Sequence, residues 1–218
     1  WKLEYSMSTI NVGYIEGPST ASNKIYIKSG SVLDITNSPG GAAAIDLSVD
    51  AGDISAGTLA NARLADGHIL QVVQTVFTGM FDSTASTWTA VTGMSASITP
   101  SSTDSKILVM IQSASSNSTS TANVSSVIYR GGAISAYLGD VAGDRIRAGA
   151  AVANPGAWAQ GPFSLIYLDS PSTTSATTYQ LYSKSPSATW RINGTGEDYD
   201  ATNQWRSASS VTLMEVKA

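Results

Sequence analysis

The sequence predicts an all-β protein: a short N-terminal segment of intertwined strands, then a larger β-sandwich or jelly roll, with a closed barrel as the second choice. From Ile10 onward the apolar runs are short and are broken by Gly, Pro, Asn and Ser about every ten residues, the rhythm of successive strands and turns. Several runs alternate apolar with polar residues, which turns one face of a strand inward. Amphipathic helix spacing is scarce, so helix content should be very low.

Trp1 to Ser6 precede Met7, which reads either as a native start or as an internal methionine, and they carry no fold argument. Lys24 to Lys28 and Ser31 to Ile35 are strands separated by Ser29-Gly30, and Ile45 to Asp50 alternates strictly. Strands this short expose most of their own apolar face, so residues 1–52 are expected to be covered by partner chains, as an attachment or oligomerisation segment. Residues 53–67 read as a narrow connector, with small residues around Ile54, Leu59 and Leu64 and a close in Ala65-Asp66-Gly67.

After His68 the strands lengthen and aromatics accumulate. Candidate strands fall at 69–81, 86–92, 104–114, 123–130, 133–139, 145–152, 157–168, 176–184, 188–193 and 209–216, which makes 68–218 one jelly-roll-like domain. Lys106 to Ile111 and Phe163 to Leu168 are apolar on both faces, which predicts cover on both sides, by a second sheet and by a neighbouring subunit.

Charged residues are 13% of the chain, about half the usual share, and Ser, Thr, Gly, Ala and Asn take their place. The solvated surface is therefore expected to be mostly hydroxyl and amide. A net charge of −4 without a run of Lys or Arg gives no footprint for nucleic acid or anionic lipid. The absence of cysteine excludes a disulfide frame, a thiol nucleophile and a Cys-containing zinc site. No apolar stretch approaches the roughly 18 residues of a membrane span, so membrane insertion is not expected.

Ile54-Ser55-Ala56-Gly57-Thr58-Leu59-Ala60-Asn61-Ala62-Arg63-Leu64 resembles the I-x-x-G-T-L-x-x-x-R-L connector of phage tail fibres. Ile69 to Val73 followed by Ser97 to Val109, then Leu168 to Pro171 with Ser175 to Tyr179, and the closing Ala208 to Val216, resemble a C-terminal domain of structural proteins from cyanophages and their relatives. The resemblance covers about two thirds of the chain. It implies a virion component, trimeric and without an enzymatic role. The chain is shorter than long tail fibres and shows little shaft, so a capsid decoration, cement or knob protein fits the same pattern.

The residues that could carry chemistry are few. His68 is the only histidine and has no nucleophile or second ligand beside it in sequence, which favours a structural or solvent-exposed role. The densest acidic cluster, Gly194 to Asn203, brings Glu197, Asp198 and Asp200 together, where oxygens could converge on calcium or a sugar, or could solvate a hairpin loop. Asp140 and Asp144 flank a glycine-containing turn in the same manner. Trp88, Trp158, Trp190 and Trp205, with Tyr137, Tyr199 and Phe163, offer flat faces for saccharide stacking, though most should serve the core or a subunit interface. Trp158 and Trp205 lie beside loop-like sequence. The binding candidates are thus Trp158, Asp198, Tyr199, Asp200, Asn203 and Trp205. Asn117, Asn123 and Asn193 fit the N-glycosylation pattern, which a Ser/Thr-rich chain produces by chance.

The expected function is attachment of a virion, at tail fibre or capsid surface, to a host-surface glycan or protein by a homotrimer, with other virion proteins engaging the N-terminal segment. No catalytic residue, metal or cofactor is expected. Capsid decoration is the first alternative. The second is a polysaccharide depolymerase using a carboxylate pair such as Asp198 and Asp200.

Overall fold

Eleven strands build two antiparallel sheets in the computed structural model, which describes residues 61–119, 122–153 and 158–218. The N-terminal strands read from the sequence, most of the connector, and Pro155 to Ala157 lie outside the described residues. Everything described belongs to one unit, Thr58–Ala218. A 3-10 turn, Asn61–Arg63, leads into β1 (Ile69–Phe77), followed by β2 (Phe81–Ser83), β3 (Thr89–Ile98), β4 (Lys106–Asn117), β5 (Asn123–Arg130) and β6 (Ala133–Ile134). Then come β7 (Ala150–Ala153), β8 (Gly161–Asp169), β9 (Thr177–Lys184), β10 (Trp190–Ile192) and β11 (Ser209–Val216).

The long strand β4 organises the first sheet. It pairs with β8 along Ile107 to Ser115, with β11 from Lys106 to Gln112 and with β10 from Ser115 to Asn117, so β8 occupies one edge and β11 then β10 the other. β1 lies outside β11, and β2 outside β10. In the second sheet β9 sits between β3 and β5, while β6 and β7 share the far edge of β5. The chain crosses between sheets at β2 to β3, β3 to β4, β4 to β5, β7 to β8, β8 to β9 and β9 to β10.

Period-two alternation explains why these segments become strands of a sandwich. In β4, Ile107, Val109 and Ile111 are fully buried; in β11, Val211 and Leu213 face them across the same layer, and Leu165, Leu181, Tyr179, Met94 and Trp190 complete the core. Each such side chain contributes about 1.5 to 3 kcal/mol on burial. The alternate residues Leu108, Met110, Ile166 and Leu168 point the other way, and Ile166 is 54% exposed. One of the two apolar faces read for β4 and β8 is therefore covered by the second sheet, and the other is left open by the described residues.

Several strand boundaries differ from the sequence reading. The run 69–81 is two strands separated by a turn at Gly79, and the strand placed at 86–92 continues to Ile98 through a bulge at Gly93. Gly93 has φ +89°, and a Cβ there would stand 2.6 Å from the Phe77 ring, so the bulge accommodates that ring. The strands at 133–139 and 145–152 shrink to Ala133–Ile134 and Ala150–Ala153: Gly131 and Gly132, both at positive φ, form the tight turn between β5 and β6, and residues 135–149 run as a loop.

The hydroxyl-rich composition is not only a surface property. Ser113, Ser115, Ser116, Ser183, Ser185, Thr195 and Ser209 are buried at one end of the sandwich. Ser126 Oγ pairs with Ser183 Oγ at 2.8 Å, and Ser209 Oγ with Ser113 Oγ at 2.9 Å. A hydroxyl both donates and accepts, so these two pairs are satisfied without charge, while Ser115 Oγ makes no hydrogen bond among the described residues. Asn117 and Asn193 are also fully buried, which removes both as glycosylation acceptors in the folded chain.

Candidate functional site

The segment joining β10 to β11, residues 193–208, leaves the sandwich at the end opposite the one where the chain joins β1. The register shows it: β11 begins beside Phe77, the last residue of β1, and ends beside Ile69, the first. About nine residues of strand, near 30 Å, separate the connector from this segment.

Asn193 anchors the base of the loop. It is fully buried at φ +64°, a conformation asparagine tolerates better than most residues. Its Nδ2 donates to the carbonyls of Phe77 (2.9 Å) and Gly79 (3.0 Å), and its Oδ1 accepts from the hydroxyls of Ser207 and Ser209. Its backbone N–H reaches Ala114 O, and Ser116 Oγ donates to Gly194 O at 2.6 Å. A Cβ on Gly194 would stand 2.5 Å from Met80 Sδ. The buried hydroxyls therefore form the floor on which the loop is held.

Above that floor, Asp198, Tyr199, Asp200, Ala201, Gln204, Trp205 and Arg206 line a cleft of about 470 Å³. Trp205 is 50% exposed and Tyr199 is 44% exposed, so two flat apolar faces meet solvent there. Arg206 reaches both oxygens of Asp198, at 2.7 and 2.8 Å. Gln204 Oε1 accepts from Thr195 Oγ1, while Gln204 Nε2 is buried and makes no hydrogen bond among the described residues. Exchanging the amide oxygen and nitrogen leaves one of the two atoms unpaired either way.

Of the sequence candidates, Asp198, Tyr199, Asp200 and Trp205 come together in this cleft. Trp158 supports it from outside: its ring meets Tyr199 edge-on at 6.4 Å, and its Nε1 donates to Glu197 at 3.1 Å. Gln160 Nε2, at the start of the adjoining strand, holds Trp205 O at 3.1 Å. Asn203 is exposed and does not line the cleft. Gln204 and Arg206 were not singled out in the sequence, although both neighbour Trp205; Arg206 balances the acidic cluster locally, and an arginine within eight residues of paired acids was the available signal. Trp190, by contrast, is fully buried and donates to Ala85 O, and Trp88 lies beneath Lys184 at 4.7 Å.

The other polar residues read from the sequence sit in local structure. His68 Nδ1 lies 2.9 Å from Ala65 O at the exposed connector end. The Asp140 to Asp144 stretch is a turn in which Arg145 N donates to Ala142 O and Gly143 sits at φ +59°. Asp169 accepts from Arg130 and from Tyr179 Oη at 2.7 Å; burial and then that hydrogen bond push the Tyr179 phenol far above its ordinary value. Among the described residues no group of three or more His, Asp or Glu could hold a metal ion, and no helix is long and apolar enough to cross a membrane. No protein-family model matches the chain, and no curated protein matches it.

Proposed function

We propose that this chain is a non-enzymatic virion structural protein, tail-fibre-like, which attaches a phage particle to a host-surface glycan as a homotrimer. The observation that carries the reading is the cleft at the end remote from the connector, where Tyr199 and Trp205 present exposed rings beside the Asp198–Arg206 pair and Gln204. Flat apolar faces flanked by fixed donors and acceptors match the two surfaces of a pyranose ring. The strand order also supports it, because β1-β11-β4-β8 facing β3-β9-β5 with β6 and β7 is the winding a jelly roll follows. Loops at the end of such a domain are free to vary while the sandwich holds them rigid.

Attachment needs no deep pocket, since three weak sites held together convert the second and third contacts into intramolecular ones. A depolymerase would need one carboxyl kept protonated by apolar surroundings. Here Asp198 is clamped by Arg206 and Asp200 is exposed, so adhesion is the better supported use of the same residues.

The test is binding of the full chain to an array of bacterial capsule and lipopolysaccharide saccharides. Trp205→Ala and Tyr199→Ala should each weaken binding up to about tenfold, the scale of one lost ring contact, with melting unchanged. Binding by both variants at parental strength would remove the cleft from recognition. Release of reducing ends from the same saccharides would overturn the non-enzymatic reading.

A further inference from the structure

We infer that the outer face of the β1-β11-β4-β8 sheet is the surface through which copies of this chain associate, three such faces converging on a common axis. The inference rests on the homotrimer reading and names the surface that makes the trimer. Strand register puts Val72, Met214, Leu108 and Leu168 in one row across all four strands, and Met110 beside Ile166 in the next. Val72 is 56% exposed and Ile166 is 54% exposed, so the stripe is bare at both edges of the sheet.

Size argues for a partner. Four strands about 4.8 Å apart and four outward rows about 6.8 Å apart give a face on the order of 500 Å². Three such faces closing on one axis bury roughly 1,500 Å² in all, about 500 Å² for each pair of neighbours, and a patch of this size is among the largest that a monomer exposes, which are often functional.

Charge argues that the partner is a second copy. Between the apolar residues this face carries only Gln, Thr and Ser, and its one charge, Lys106, stands at the corner. Residues near a threefold axis meet their own copies there, so the absence of charge from the middle of this face avoids like-charge repulsion on self-association. A foreign partner would more commonly be selected by charge complementarity. Cyclic closure about such an axis also carries all three clefts to one end and all three connectors to the other.

The absence of cysteine makes a direct test available on the full chain. Thr212→Cys places a thiol in the middle of the face, between Gln74 and Met110; Ser97→Cys places one on the opposite sheet, where Ser97 is exposed. Light scattering should give a trimer for the parent. Mild oxidation should then link Thr212→Cys chains pairwise while leaving Ser97→Cys unlinked, and Ile166→Lys should abolish the link. A trimer in which Thr212→Cys links no better than Ser97→Cys overturns the assignment of this face and leaves the homotrimer standing. A monomeric parent overturns both. A monomer whose Thr212→Cys thiol is protected from a soluble alkylating reagent assigns the face to residues 1–60 of the same chain instead.

Discussion

Asn193→Asp isolates the hydrogen bonds that fix the loop to the sandwich. The change is nearly isosteric and keeps the acceptor used by Ser207 and Ser209, but it replaces the donor that serves Phe77 O at 2.9 Å and Gly79 O at 3.0 Å. Two carbonyls at a fully buried position then face a carboxylate oxygen. Losing two bonds at about 1 kcal/mol each and leaving the carbonyls unpaired sums to about 3 to 5 kcal/mol. At about 2 to 4 °C per kcal/mol for a domain of this size, melting should fall by about 10 °C. Scanning calorimetry measures it, and the saccharide array should show binding lost in parallel, because the cleft stands on this residue. Asn193→Gly keeps the positive φ without strain and should cost less, since no charge is buried. A melting point for Asn193→Asp within 2 °C of the parent, a bound taken from about 1 kcal/mol, would refute the reasoning.

At the other end of the sandwich, burial raises the affinity of Glu215 for its proton, but hydrogen bonds from Ser101, Gln71 and Ser105 outweigh it and hold the carboxyl below its ordinary value. A lowered folded pKa contributes stability above the unfolded value and loses it as pH falls through the folded one. Melting temperature against pH should therefore drop on the acid side of the ordinary glutamate range, and Glu215→Gln should flatten that limb; an identical limb in the variant would exclude Glu215 as its source. Tyr179→Phe removes a buried hydroxyl from Asp169 and should cost about 1 to 2 kcal/mol in urea unfolding, with the slope unchanged. Gly93→Ala drives a Cβ against the Phe77 ring at a positive φ and should destabilise by about 2 kcal/mol or more, whereas Gly143→Ala, whose Cβ meets nothing within 4 Å, should cost only the backbone strain, about 1 kcal/mol.

Local pattern was enough to read the all-β class and most of the strands, because strand periodicity is a property of neighbouring residues: Ile107, Val109 and Ile111 alternate in the sequence as they do in the core. The loop from Gly194 to Trp205 was legible for the same reason, since its acids and aromatics are contiguous. Other features depend on residues far apart in the chain. Whether a serine faces water or pairs with another in the interior is decided by the pairing of β5 with β9 and β4 with β11, so Ser126 with Ser183 and Ser113 with Ser209 could not be matched in advance. Gly93 marked a strand end in sequence and became a bulge because Phe77 lies against it. The sequence by itself determined which segments are extended and which residues are apolar on both sides. Only the tertiary structure decided which of those sides is covered, because cover is a property of register: pairing aligns Val72, Met214, Leu108 and Leu168 into one face, while the opposing sheet is spent on the other.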